Sequence, residues 1–142
     1  MKAAIVDTDV VSMLFKGDTR ALAYRVHVTG RLLGIFFMTL AELERWTLER
    51  SWGSTRKLKL AKHVTRYTVL PVCRELCVRW AEVAFAAKQR GRPIQTADAW
   101  IAASALYYQV PLITNNQSDY SFIEGLTLRR LSKILQGSFN WR

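Results

Sequence analysis

The chain has 142 residues, 50% of them hydrophobic and 23% charged, which supplies one sizeable core and excludes disorder, low complexity and a second full domain. Lys and Arg number 21 against 11 Asp and Glu, and the resulting charge of +10 suits a polyanionic or acidic partner without choosing between them. The longest apolar stretch, 32–41, falls short of the roughly 18 residues of a membrane span, Asp7 interrupts any signal-like run, and two cysteines cannot build a disulfide framework or a four-cysteine zinc site, so a cytoplasmic protein with no membrane association is expected.

In chain order, residues 3–6 form a short continuous apolar run, the pattern of a strand buried on both faces, and Asp7 follows it directly. Residues 10–15 and 21–28 read as helices separated by Gly17-Asp18, with Asp18 a candidate N-cap, and 32–37 as a second strand. A helix opening at Thr39-Leu40-Ala41-Glu42 runs to about Arg50, and a basic helix spans 54–66. After a third strand at 67–70, residues 72–90 have the length and apolar spacing of a long helix, closed by Gly91 and barred from continuing by Pro93. A helix from near Thr96 through Leu106, a short strand at 110–114 ending in Asn115-Asn116, and a weaker strand at 126–131 complete the pattern.

Strands alternating with helices over so short a chain imply a mostly parallel sheet between helical layers. In such sheets ligands lie beyond the carboxyl ends of the strands. Asp7 and the loop carrying Asp119 both follow strand ends, and Glu42 and Asp98 lie near the starts of helices at the same edge. Each acid also has a local reading. Glu42 stands three residues after Thr39, as in a capping box, Asp98 suits the positive end of its helix, and Asp119 can cap the turn at 120–123. Together, however, clustered carboxylates repel and need a cation or a proton, and an all-oxygen set suits Mg²⁺ or Mn²⁺. Such an ion can orient a phosphodiester and acidify water, while the surrounding positive charge captures the polyanion.

Four segments carry a resemblance: Asp7-Thr8-Asp9-Val10, Thr39-Leu40-Ala41-Glu42-Leu43, Pro93-Ile94 with Asp98-Ala99-Trp100-Ile101-Ala102-Ala103, and Leu112-Ile113-Thr114-Asn115-Asn116 with Asp119-Tyr120. In this order and spacing the chain resembles the PIN-domain ribonucleases, and among them the VapC-type toxins of toxin–antitoxin pairs. The resemblance covers about residues 3–131, leaving 132–142 as a C-terminal tail after a domain at 1–131. It implies a three-layer α/β/α fold with a mostly parallel central sheet, and a Mg²⁺- or Mn²⁺-dependent endoribonuclease cutting a structured cellular RNA. It further implies a cognate VapB-like antitoxin and a homodimer. Asp7, Glu42, Asp98 and Asp119 match the family's acidic, metal-holding quartet, and Thr8, Thr114 and Asn116 its supporting polar positions. Two residues depart from the pattern: Asp9 stands where Asn is frequent, adding a charge beside the site, and Tyr120 replaces the usual Phe. A noncatalytic RNA- or protein-binding PIN module and a metal-dependent DNA nuclease are the alternative readings.

Arg90 and Arg92 are candidate RNA-phosphate contacts, because their turn leads to Asp98. The run Arg56, Lys57, Lys59, Lys62 and Arg66 suits either RNA or a solvated helix face. Cys73 and Cys77 are expected to be buried or half-buried thiols rather than metal ligands, and His27 and His63 to lie away from the cleft. The tryptophans at 46, 52, 80, 100 and 141 are expected in the core or an interface.

Overall fold

A computed structural model describes residues 2–17 and 21–129 of the chain. The sequence readings of Asp18, Trp141 and the 132–142 tail lie outside the described residues. The elements run β1 (Ala3–Val6), α1 (Thr8–Lys16), α2 (Ala21–Val28), β2 (Leu32–Phe36), α3 (Phe37–Glu49), α4 (Ser54–Val64) and β3 (Thr68–Leu70). They continue with α5 (Arg74–Gln89), α6 (Thr96–Tyr108), β4 (Leu112–Ile113), a 3-10 turn (Gln117–Asp119) and β5 (Leu128–Arg129). The strands form one parallel sheet in the order β3-β2-β1-β4-β5.

The two-residue period of a strand explains the layers. Ala4, Val6, Ile35 and Ile113 point into one core with Val10, Leu43 and Leu60, so α1, α3 and α4 cover that face. Ile5, Phe36 and Leu112 point the other way, into a second core with Leu76, Val83 and Ala102 from α5 and α6. Helix α6 is apolar nearly all round, with Ala99 and residues 101–105 all buried, and its small side chains let it lie between α5 and the sheet. At β2, a Cβ on Gly34 would stand 3.1 Å from a Leu70 methyl and 3.2 Å from an Ile5 methyl. The glycine therefore leaves room for the neighbouring strands' side chains.

The tryptophans divide between the two cores. Trp100 stacks on Phe36 at 5.0 Å and on Trp80 at 5.3 Å, while Trp52 stacks on Phe15 at 5.6 Å and Trp46 packs against the first core. His63 is buried and hydrogen-bonded to the Tyr67 hydroxyl at 2.9 Å. Burial pushes its pKa down to about 4, so this imidazole is neutral at physiological pH. Cys73, half-buried, ends the strand-to-helix turn before α5, whereas Cys77 is exposed, contrary to the expectation of burial, because its side of α5 faces solvent between Arg74 and Val78. The five basic residues at 56–66 are all exposed, with the Arg56 guanidinium 4.2 Å from the centre of the Trp52 ring.

Candidate active site

From β1 the chain first builds outward through β2 and β3, then crosses back to add β4 and β5 on the other side of β1. The carboxyl ends of β1 and β4 therefore flank the switch point, where an open parallel sheet leaves a crevice. Asp7 follows β1 and Thr114 follows β4, so both side chains meet there without any need for a long loop.

Asp7 is the N-cap of α1, and its Oδ1 accepts the Thr8 N–H at 2.8 Å. Its Oδ2 accepts two hydroxyls, Thr114 Oγ1 at 2.8 Å and Tyr120 Oη at 2.9 Å. The Asn116 N–H donates in turn to Thr114 Oγ1 at 3.1 Å, which places Thr114 and Asn116 in one supporting chain. With 6% of its surface exposed, Asp7 has a raised pKa: loss of water outweighs the three donors, and Glu42 adds repulsion.

The neighbouring acids share this strain. Asp98, in the first turn of α6, accepts the Tyr120 hydroxyl at 3.2 Å rather than capping its own helix, and burial followed by the charge of Asp7 pushes it up to about 6. Asp9 accepts the Val10 N–H at 2.7 Å and the Asn115 N–H at 3.1 Å, so it also ties the start of α1 to the loop after β4. Burial first, then Asp7, raise it to about 7. Tyr24 reaches the same loop from α2, donating to Asn115 Oδ1 at 3.2 Å.

Glu42 corrects one local reading. Helix α3 begins at Phe37, two residues before the expected start, and Phe36 at its N-cap makes no side-chain cap. Thr39 thus lies inside the helix, where its hydroxyl meets that of Thr8 at 2.9 Å, and no capping box forms. Glu42 falls in the second turn with Thr8 Oγ1 3.5 Å from its Oε1, and its pKa is raised by burial, which prevails over the lowering effect of Arg45.

Asp7, Thr8, Asp9, Glu42, Asp98 and Asn116 line one hollow of about 180 Å³, with Trp46 at its wall. Asp119 is exposed at the end of the 3-10 turn and lines an adjoining hollow that also includes Asp98. Arg90 and Arg92 part company. The Arg90 guanidinium donates to the Phe122 carbonyl at 2.6 Å and lies 3.9 Å from Glu124, along a different groove that includes Arg79 and Leu106. Arg92 lies over the Phe122 ring at 4.8 Å and faces the hollow of Asp119. The histidines stand elsewhere, on α2 and α4.

Tyr120 is the residue whose importance the sequence concealed. It is fully buried, and burial with two adjacent carboxylates raises its pKa, so the phenol keeps its proton and serves as a donor. Its hydrogen bond to Asp7 spans 113 positions of sequence. The signal available was only the hydroxyl itself, placed beside an acid where a phenyl ring is common.

The donor set fits a hard divalent cation: it is all oxygen, and several carboxyls held above their ordinary pKa are groups that a cation would stabilise as anions. Among the described residues, no three acidic, histidine or cysteine side chains already form a metal cage.

Residues 4–122 match the family model described as PIN domain. Ribonuclease VapC1 of Haemophilus influenzae strain R2866 is 30% identical over 126 residues, covering 86% of this chain and 92% of that protein. Ribonuclease VapC5 of Mycobacterium tuberculosis is 29% identical over 128 residues, covering 87% and 89%. Among solved structures, VapBC-1 from nontypeable Haemophilus influenzae superposes with a TM-score of 0.79 at 26% identity, over 92% of this chain and 98% of that one. VapBC2 from Rickettsia felis, bound to a DNA fragment from their promoter, has the same TM-score of 0.79 at 19% identity, over 90% and 98%, which is a likeness of fold.

Proposed function

The chain belongs to the PIN-domain family, and from that premise we propose that it is a metal-dependent endoribonuclease, the toxin of a toxin–antitoxin pair. The observation that supports this most directly is the junction of Asp7 and Asp98 through Tyr120 at the switch point, with Asp9 and Glu42 lining the same hollow. The curated relatives' name of ribonuclease and the VapBC complexes among the structural neighbours support the RNA substrate and a VapB-like partner. Cytoplasmic action and a homodimer are part of the same reading. Among the described residues no helix is long and apolar enough to cross a membrane.

In this reading Asp7 and Asp98 hold Mg²⁺ or Mn²⁺, with Glu42 and Asp119 completing the acidic rim. When bound, the ion supplies charge neutralisation at the phosphate and an acidified water. The chain's own residues do the positioning. Thr114 and Tyr120 fix one oxygen of Asp7 and the Thr8 N–H fixes the other, so the carboxylate cannot turn away. Thr8 holds Thr39 and approaches Glu42, which sets the α3 wall of the hollow against α1. The overall charge of +10 draws RNA towards a locally acidic crevice that would otherwise repel it.

Purified protein incubated with RNA in Mg²⁺ or Mn²⁺ is expected to release endonucleolytic fragments, and EDTA to stop it. Cleavage that survives rigorous chelation would refute the metal mechanism, and binding without cleavage would favour the noncatalytic module. In cells, expression alone is expected to arrest growth and a co-expressed neighbouring antitoxin to relieve the arrest.

Tyr120→Phe isolates the phenol's contribution. The ring stays, so the core is retained, but Asp7 and Asp98 lose the one hydroxyl proton they share. Mn²⁺ affinity measured by calorimetry is expected to fall by about tenfold, the range seen when an outer partner of a metal ligand is removed. Unchanged affinity in the folded variant would reduce Tyr120 to packing.

A further inference from the structure

The hollow beside the carboxylates has features that the cleavage reaction itself leaves unused. It has a volume of about 320 Å³ and is lined by Arg92, Pro93, Gln95, Ser118 and Phe122 together with Asp98 and Asp119. Asp98 lines this hollow and the acidic one alike, so the two adjoin.

The walls are held by backbone contacts. Arg92 follows Gly91, whose φ of 71° turns the chain sharply, and the Gly91 and Arg92 N–H groups return to the Lys88 and Ala87 carbonyls of α5 at 3.0 Å each. Arg90 fastens Phe122 by its carbonyl at 2.6 Å. The result is a half-buried ring with the guanidinium of the exposed Arg92 4.8 Å from its centre. Gln95 occupies the N-cap position of α6 without a side-chain capping bond, so its amide retains both donor and acceptor, and Ser118 is exposed on the facing turn.

We propose that this hollow is a nucleobase subsite: the base flanking the cut bond stacks on the Arg92–Phe122 platform while Gln95 and Ser118 read its edge. A flat guanidinium backed by a ring stacks on any base, and an amide opposite a hydroxyl distinguishes among bases. A second phosphate is the poorer occupant, because Pro93, Ile94 and Phe122 give the hollow an apolar wall that suits a base. The assignment rests on the ribonuclease reading, deepens it to substrate selection, and gives Arg90 and Arg92 different tasks.

The test uses Asp7→Asn protein, which neither cleaves nor depends on a bound cation, with four fluorescein-labelled tetraribonucleotides, each of a single base, at fixed salt. Arg92→Ala and Arg92→Lys are both expected to weaken binding of the preferred oligonucleotide by about tenfold, because lysine keeps the charge and loses the plane. Lys88→Ala, an exposed charge elsewhere on α5, is expected to change it less than about twofold. In the otherwise wild-type enzyme, Gln95→Ala is expected to broaden the base found beside the cut in a random-sequence RNA pool. Full binding by Arg92→Lys would make Arg92 a phosphate contact and overturn the subsite, as would an unaltered cut-site preference in Gln95→Ala. Those results leave cleavage by the wild-type protein intact, whereas failure of the ribonuclease reading appears as no cleavage at all.

Discussion

Replacing Asp7 by Asn is expected to lower kcat/KM on RNA by at least about two orders of magnitude while the protein remains folded, and Asp98→Asn to do the same. The structural reason lies in the groups around Asp7. Both partners of its Oδ2 are hydroxyls, which accept as well as donate, so Thr114 can take an amide hydrogen while Tyr120 turns its proton to Asp98. The network survives, but a negative charge that a cation requires is gone. Removing a buried charge also relieves repulsion from Glu42, so the Asp7→Asn protein should be at least as stable as wild type in EDTA. Circular dichroism and thermal melts establish folding, and turnover is measured on the same preparations. Near-wild-type turnover in a folded variant would make Asp7 a structural N-cap and no more.

In EDTA, thermal stability is expected to fall as pH rises from 5 to 8. Asp98 titrates at about 6 and Asp9 at about 7 in the folded chain, both above an ordinary aspartate at 3.8, with burial as the first cause. Between about pH 4 and 7 these two groups keep protons in the folded state that the unfolded chain has released, so they favour folding at the acid end; His63, held neutral, acts in the opposite sense up to about pH 6.5 but is one group against two. The midpoint at pH 8 should be lower by roughly 5 °C or more. Saturating Mg²⁺ or Mn²⁺ at pH 8 should restore it, since an ion bound only by the folded state adds stability by mass action. A melting temperature that is flat or rising from pH 5 to 8 in EDTA would show that these carboxyls are not strained by burial. No gain with either ion would argue against a cation site in the crevice.

Much of the site was legible because its acids occupy informative local positions. Asp7 directly follows a buried strand, Asp98 opens a helix and Asp119 closes the turn after β4, and each of these is a property of neighbouring residues. Glu42 was legible as an acid in the right segment, but its capping-box reading was wrong. The helix starts at Phe37 because Phe36 is held in the extended β2 register opposite Leu70, and the chain turns immediately after it. That start depends on strand pairing, which no local pattern of Thr39 and Glu42 contains.

By itself the sequence determined the alternation of strands and helices, the parallel sheet it requires, and the loops from which acids could reach one edge. Apolar periodicity and turn residues act over a few positions, so they are read without knowing the fold. The strand order, and with it the switch point between β1 and β4, was decided by tertiary packing. So were the phenol of Tyr120 between Asp7 and Asp98, the double duty of Asp9, and the separation of Arg90 from Arg92. In each case the deciding contact joins residues distant in the chain, and the direction of a side chain is set by what packs against it rather than by the residues beside it.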